Sequence, residues 1–248
     1  MTSGEAACTS LATPHVPLEG ILLVDKPIGL TSHDVVEALR RKLGIRRIGH
    51  TGTLDPMAQG LLVLLVGRAT KHQQEFQGHE KTYETILRLG MQTDSGDATG
   101  TPIRTAAIPA FNRSHVAEVL ATFRGRLFQV PPAYSAIKVR GHPAYWWARR
   151  HEPVQLSRRP VQISELSLID CQAQTITFRV ECSAGTYVRT LGEAIAERLG
   201  TVGHLTALVR LRVGRWSLAN AKPLDWFLQS DLQRLAHELL PIPSLPTT

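Results

Sequence analysis

The chain reads as an α+β protein, a mixed, largely antiparallel β-sheet with helices packed on it. Three observations predict this. Stretches with strand character outnumber those with helical spacing, and the joins between them are mostly too short for the crossovers that a regular parallel sheet requires. From Ile176 to Cys182, apolar residues (Ile176, Phe178, Val180, Cys182) alternate with Thr177, Arg179 and Glu181, the period-2 signature of a half-buried strand. The 248 residues and 43% hydrophobic content suit one large domain or two small ones and exclude a disordered chain. The longest apolar run, Leu61 to Val66, falls far short of the roughly 20 residues that cross a bilayer, so no membrane partner is expected.

The elements follow in order. Residues 1–18 are rich in Ser, Thr, Ala and Pro without periodicity and read as a flexible tail. Gly20 to Lys26 is a short apolar strand stopped by Pro27. Thr31 and Asp34 have capping-box spacing, Val35, Val36, Leu39 and Leu43 mark one face of a helix, and Gly44 is placed to end it. Gly49 to Gly60 is a Gly/Thr/Pro loop, followed by a buried-looking strand over Leu61 to Val66. Lys81 to Leu89 is another strand, Gly90 to Gly100 a polar turn region, and Ser114 to Phe123 a helix. Pro131 to Arg159 is a basic segment with six Lys and Arg against one acid, Glu152, interleaved with Tyr134, Tyr145, Trp146 and Trp147. After the alternating strand, Thr186 to Leu199 reads as a helix, with Val188, Leu191, Ile195 and Leu199 on one face. Leu205 to Trp216 is a basic strand region, Pro223 to Leu240 a final helix, and 241–248 a short tail. No internal repeat or strong linker divides residues 20 to 240, so 19–240 is expected to form a single domain.

Charge narrows the partners. With 28 Lys and Arg against 21 Asp and Glu, the formal net charge is +7, and a pI near 9.7 favours a polyanionic partner. Cys8, Cys171 and Cys182 form no CxxC pair, and an odd count argues against a disulfide framework. Ten histidines occur without an HExxH or Cys/His ligand spacing, so no metal site is expected. The N-terminus has no basic n-region followed by a long apolar stretch, which makes a reduced, cytoplasmic location the expectation.

Two segments carry candidate chemistry. The loop Gly49-His-Thr-Gly-Thr-Leu-Asp55-Pro-Met-Ala-Gln-Gly60 lacks the Gly-Lys-Ser/Thr ending of a Walker A loop. An Asp before a Pro accounts for it as a turn. Its glycines and small hydroxyl residues around one carboxylate equally let another molecule's backbone approach closely. In Ser183-Ala-Gly-Thr-Tyr-Val-Arg-Thr190, a helix capped by Thr186 would hold Arg189 in its first turn, where a cation opposes the helix dipole unless an anion faces it. Paired with Asp55, Arg189 would keep a half-buried carboxylate ionised, as a nucleophile or base requires.

These segments, with Gly20-Ile-Leu-Leu-Val-Asp-Lys-Pro-Ile-Gly-Leu-Thr-Ser, Lys81-Thr-Tyr-Glu, Gly90-Met-Gln-Thr-Asp-Ser-Gly-Asp-Ala-Thr-Gly and Pro131-Pro-Ala-Tyr-Ser-Ala-Ile-Lys, resemble the successive motifs of the TruB family. These bacterial enzymes make pseudouridine at position 55 in the TΨC loop of tRNA. The resemblance runs in order over roughly residues 19 to 216, and ordered motifs are far more specific than any one of them.

The resemblance implies the pseudouridine synthase fold and a role for each matched residue. Asp55 matches the catalytic aspartate and Arg189 the arginine that pairs with it. Tyr83 matches the tyrosine that stacks on the target base. His50 matches a histidine that wedges into the loop the uridine leaves. Tyr187 and Leu208 match positions that contact the nucleotide or shape its pocket, and Lys26, with Pro27, supports that pocket. For Tyr83 and Leu208, the residues alone would favour plain core packing. Residues 131–159 resemble the family's RNA-gripping insertion, and the basic excess is accordingly expected there and on Arg210, Arg212 and Arg215.

The resemblance further implies the TΨC stem-loop of tRNA as partner and no cofactor, because the isomerisation takes nothing from outside. No protein partner is implied, and a monomer is expected. Many members carry a C-terminal PUA domain. Only about 30 residues follow Trp216, so a short form is expected, with recognition confined to the TΨC arm. Two other readings stay open. A pseudouridine synthase acting on another RNA would share Asp55 but not the insertion and motif order. A non-catalytic RNA-binding or RNA-folding protein could tolerate the loss of Asp55. The missing phosphate-loop lysine disfavours an NTP-dependent enzyme.

Overall fold

A computed structural model describes residues 18–150, 152 and 154–242. Cys8 and all but the innermost positions of the expected tails, 1–18 and 241–248, lie outside the described residues. The strands are β1 (Gly20–Lys26), β2 (Ile48–His50), β3 (Gln59–Val66), β4 (Lys81–Leu89), β5 (Met91–Thr93), β6 (Pro102–Thr105), β7 (Gly125–Gln129), β8 (Lys138–Val139), β9 (His142–Pro143), β10 (Arg159–Cys171), β11 (Thr175–Cys182), β12 (Gly203–Val213), β13 (Trp216–Ser217) and β14 (Lys222–Pro223). The helices are α1 (Ser32–Leu43), α2 (Gln73–Gln77), α3 (Arg113–Ala121), α4 (Ala144–Ala148), α5 (Val188–Arg198), α6 (Leu224–Gln229) and α7 (Leu232–His237).

One sheet organises the chain, in the order β14-β1-β3-β12-β4-β11-β10-β7. Among the paired strands of this sheet in the described residues, only β1–β14 and β12–β3 are parallel, so the mixed, largely antiparallel sheet is the one the sequence predicts. β3 shows why its sequence lacks alternation. Leu62, Leu64 and Val66 face the larger core with α1 and α5, whereas Leu61, Val63 and Leu65 face a second core with Phe76 and Trp216. Both faces of the strand are covered, so both must be apolar. Each such side chain contributes about 1.5–3 kcal/mol relative to exposure. Gly60 adopts φ +100°, and a Cβ there would stand 2.5 Å from the Arg210 carbonyl oxygen. Close approach of β3 to β12 thus needs glycine at this position.

Helix α1 begins and ends as its residues predict. Thr31 accepts from the Asp34 N–H at 3.1 Å while the Asp34 carboxylate accepts from the Thr31 N–H at 2.8 Å, and Gly44 closes the helix in the left-handed region. Elsewhere the chain departs from expectation. The predicted loop Gly49–Gly60 gives both ends to β2 and β3, and β5 forms inside the predicted turn region. Helix α5 is capped by Tyr187, with no side-chain bond, rather than by Thr186, whose hydroxyl instead donates to the Ser183 carbonyl at 2.9 Å. The single helix expected over 223–240 is two. Ser230 is extended (ψ 151°) between them, and Asp231 starts α7 by accepting from the Arg234 N–H at 2.8 Å. Leu240 then pairs with Ile21 of β1 through two 2.9 Å backbone bonds.

Among the described residues, no helix is long and apolar enough to cross a membrane.

Candidate active site

The segment Thr51–Ala58 between β2 and β3 holds Asp55 at the surface of the sheet. Apolar residues anchor it on both sides of the carboxylate: Leu54, Met57 and Ala58 are all buried. Its backbone groups are tied down from three directions. Ser32, the first residue of α1, accepts from the Leu54 N–H at 2.8 Å and donates to its carbonyl at 3.2 Å. The Gly29 N–H donates to the Pro56 carbonyl, and the Thr51 N–H to Val63 of β3. Arg210 of β12 donates to the Gly52 and Thr53 carbonyls.

Fixed in this way, Asp55 presents a side chain that is 33% exposed to a buried arginine. Arg189 Nε stands 2.9 Å from Asp55 Oδ2. As the second residue of α5, Arg189 is a cation at the positive end of a helix, and two carboxylates face it there. The second is Asp97, with Oδ2 3.8 Å from Arg189 Nε and Oδ1 accepting from Ser95 Oγ, Thr99 Oγ1 and the Thr99 N–H. The other guanidinium nitrogens donate to the Ser95 carbonyl at 2.7 Å and the Tyr134 carbonyl at 2.9 Å. Burial pushes the Asp55 carboxyl above the usual aspartate range. Arg189 opposes that shift, and Asp97 adds to it.

Of the other predicted residues, Lys26, Tyr83 and Tyr187 lie within reach of the Asp55 charge, whereas His50 and Leu208 are placed only through the strands that carry them. Tyr83 of β4 is buried cross-strand from Arg210, and burial raises its phenol above the ordinary tyrosine range, so it is neutral at pH 7. Leu208, also buried, belongs to the same core cluster as Tyr83. Tyr187 precedes α5, and its backbone is bracketed by the Gln129 amide, which accepts from its N–H at 3.0 Å. Tyr187 lines a cavity of about 430 Å³ with Ile137, Arg159, Pro160, Ala184 and Gly185.

His50, at the end of β2, is half-buried, and its Nδ1 has no hydrogen-bond partner among the described residues. Burial, then the charge of Arg210, lowers its imidazole below the usual range, so it is neutral at pH 7. Lys26 is fully buried, donates to the Pro27 and Leu30 carbonyls, and is pushed down by burial to about 8.

Asp97 and Arg210 were not legible as parts of the site. Asp97 lay within a matched motif but had no partner visible in sequence. Arg210, expected on an RNA-facing surface, is 1% exposed and turns inward, whereas Arg212 and Arg215 are exposed. Alternation in the sequence sets Arg210 with Arg212, opposite Val209, Leu211 and Val213, so no local signal marked it as buried; a register irregularity between Arg210 and Arg212 separates the two in the structure.

The basic segment 131–159 forms a small appendage. Its hairpin β8–β9 turns through Arg140 (φ 50°) and Gly141 (φ 84°), the geometry of a two-residue type I′ turn. Its aromatic residues are largely spent internally. Trp146 stacks on His142 (4.2 Å, 12° between planes) and has the Arg150 guanidinium over its ring at 3.5 Å, and Trp147 Nε1 donates to the Val139 carbonyl. The six cations are left exposed.

Comparison with known proteins shows the family and the fold. Residues 40–188 match the family model described as TruB family pseudouridylate synthase (N terminal domain). The chain is 43% identical to tRNA pseudouridine synthase B of Opitutus terrae over 92% of its own length and 95% of that protein's. It is 46% identical to the protein of the same name from Hydrogenovibrio crunogenus, over 79% of this chain and 65% of that one. Among solved structures, a chain of a Cbf5–Nop10–Gar1 complex superposes with a TM-score of 0.70 at 24% identity, over 92% of this chain and 61% of the other, which shows a shared fold. With the fold, the ordered motifs and the family match in agreement, the chain belongs to the TruB family of pseudouridylate synthases.

Proposed function

We propose that this protein isomerises uridine to pseudouridine in tRNA, at position 55 of the TΨC loop, with Asp55 acting on the nucleotide. The observation that carries the reading is the Asp55–Arg189 pair at 2.9 Å, one partner partly exposed and the other buried, in a chain 43–46% identical to proteins named tRNA pseudouridine synthase B. The reaction breaks the N1–C1′ bond, turns the uracil and joins C5 to the same C1′. C5 gives up a proton and N1 gains one, so atoms and electrons balance without a cofactor. Breaking the glycosidic bond proceeds either by carboxylate attack on the nucleotide or by removal of a ribose proton, and both require ionised Asp55. Arg189 favours that form and fixes the carboxylate's orientation.

The target base must leave its stack, at a cost of a few kcal/mol. Stacking on Tyr83, worth about 1–3 kcal/mol, offsets this. His50, neutral, fills the space the base leaves without adding charge to the pocket. Tyr187 and Leu208 shape the pocket, and Lys26 supports it from below. In this reading residues 19–240 act as one catalytic domain and 131–159 grip the RNA backbone through exposed cations.

The test is incubation of the purified protein with an unmodified tRNA transcript, followed by pseudouridine mapping. Conversion at the TΨC uridine that vanishes in Asp55→Asn while RNA binding persists supports the proposal. Turnover in Asp55→Asn, or conversion confined to a ribosomal RNA fragment, defeats it.

A further inference from the structure

Arg210 is the largest fully buried side chain among the described residues. A guanidinium taken out of water is costly unless its charge is met, yet the ion pairs among the described residues give it no carboxylate partner. Carbonyl oxygens take that place. Nε donates to Leu61 at 2.7 Å, Nη2 to Gly52 at 3.1 Å and Nη1, more weakly, to Thr53 at 3.5 Å. Leu61 lies on β3, just beyond the segment that displays Asp55, and Gly52 and Thr53 lie within that segment. One planar group therefore spans both flanks of Asp55. The backbone of Arg210 is paired with Gly60 on one side and Tyr83 on the other, so the same strand position joins the aspartate loop to the tyrosine strand.

We propose that Arg210 is a positioning residue of the isomerisation: its guanidinium locks the carbonyls on both flanks of Asp55 and so sets the carboxylate's place relative to Arg189 and Tyr83. The inference rests on the pseudouridine reading of the site. A flat fork with donors in fixed directions holds three carbonyls at once, which the single point charge of a lysine cannot do. Precise placement justifies the burial, because an error near 1 Å in a reacting group costs about a hundredfold in rate. The positive field of Arg210 also reaches His50 and Lys26, helping to lower both.

The test compares wild type, Arg210→Lys and Val213→Ala, the last a core substitution on the same strand away from the loop. Each is measured for single-turnover conversion of a TΨC stem-loop, for Kd of that RNA, for melting temperature and for amide hydrogen exchange over residues 51–58. Arg210→Lys is expected to convert about a hundredfold more slowly, with Kd within about twofold and faster exchange over 51–58. Val213→Ala is expected to lower only the melting temperature. A wild-type rate in folded Arg210→Lys overturns the proposal. So does a rate loss that Val213→Ala reproduces, or one explained by weaker RNA binding. Failure of both Arg210→Lys and Arg210→Met to fold also overturns it, making the residue a requirement of the fold. Absence of turnover in the wild type defeats the pseudouridine reading alone, and the exchange data then still decide whether Arg210 braces the loop.

Discussion

At the scale of single residues, burial shifts two groups of the site in opposite directions, the Asp55 carboxyl up and the Lys26 ammonium down. In the proposed reaction Asp55 works ionised, and burial holds its carboxyl above the ordinary aspartate value against the pull of Arg189. Activity is therefore present above the raised pKa and lost as pH falls through it. Arg189→Gln removes the main lowering influence, so the acid limb of the single-turnover rate should move to still higher pH. The rate at neutral pH should drop about 10²–10³-fold; an unmoved limb would contradict the pairing. Lys26 is shifted the other way, yet its effect also grows as pH rises. Its folded pKa is about 8 against 10.5 unfolded, so the unfolded chain binds more protons between those values. Wild type should gain stability, roughly 2 kcal/mol, relative to Lys26→Met as pH rises from 7 to 10, which chemical denaturation at the two pH values would measure. The residue types at both positions were legible in sequence. Their burial and partners were not, because Arg189 reaches Asp55 only when α5 is laid beside the β2–β3 connection.

Secondary-structure elements here differ in whether they support the fold alone or the fold and the site together. The two residues that open α1 make the distinction testable. Thr31 completes a capping box on the solvent side, so Thr31→Ala should cost about 1 kcal/mol in stability and leave conversion unchanged. Ser32 carries two hydrogen bonds to Leu54, the residue before Asp55. Ser32→Ala leaves a buried N–H unpaired, at about 1–3 kcal/mol, and should also slow single-turnover conversion. Thermal melts and rate measurements on both variants separate the two effects. At this scale most elements could be read from periodicity and capping residues, as in α1, β4 and β11. The C-terminal segment reads as one helix in sequence because the apolar spacing runs on past Ser230. The extended Ser230 and the cap at Asp231 break it so that Leu240 can pair with β1, a tertiary demand that no local pattern carries.

On the scale of the whole molecule, the +7 charge resolves into exposed cations that can meet RNA and buried ones that cannot. Lys138, Arg140, Arg149, Arg150, Arg158 and Arg159 are exposed on or beside the appendage, whereas Arg189, Arg210, Lys26 and Lys81 are buried. Affinity for the tRNA should fall steeply with salt, and Arg149→Gln with Arg150→Gln should reduce the slope of log K against log salt by about 2 while the rate at saturating RNA stays constant. Equal slopes for variant and wild type would place the RNA elsewhere. The sequence by itself determined the strands and helices with strong periodicity, the ordered motifs, the family and the residue types at the site, because these are properties of neighbouring residues and of their order. The tertiary structure alone decided that Arg210 turns inward to carbonyls as far as 158 positions away, that Asp97 shares Arg189 with Asp55, and that Trp146 is spent on His142 and Arg150. Burial and pairing of a side chain depend on which distant segments the sheet brings against it, and local patterns do not encode that contact.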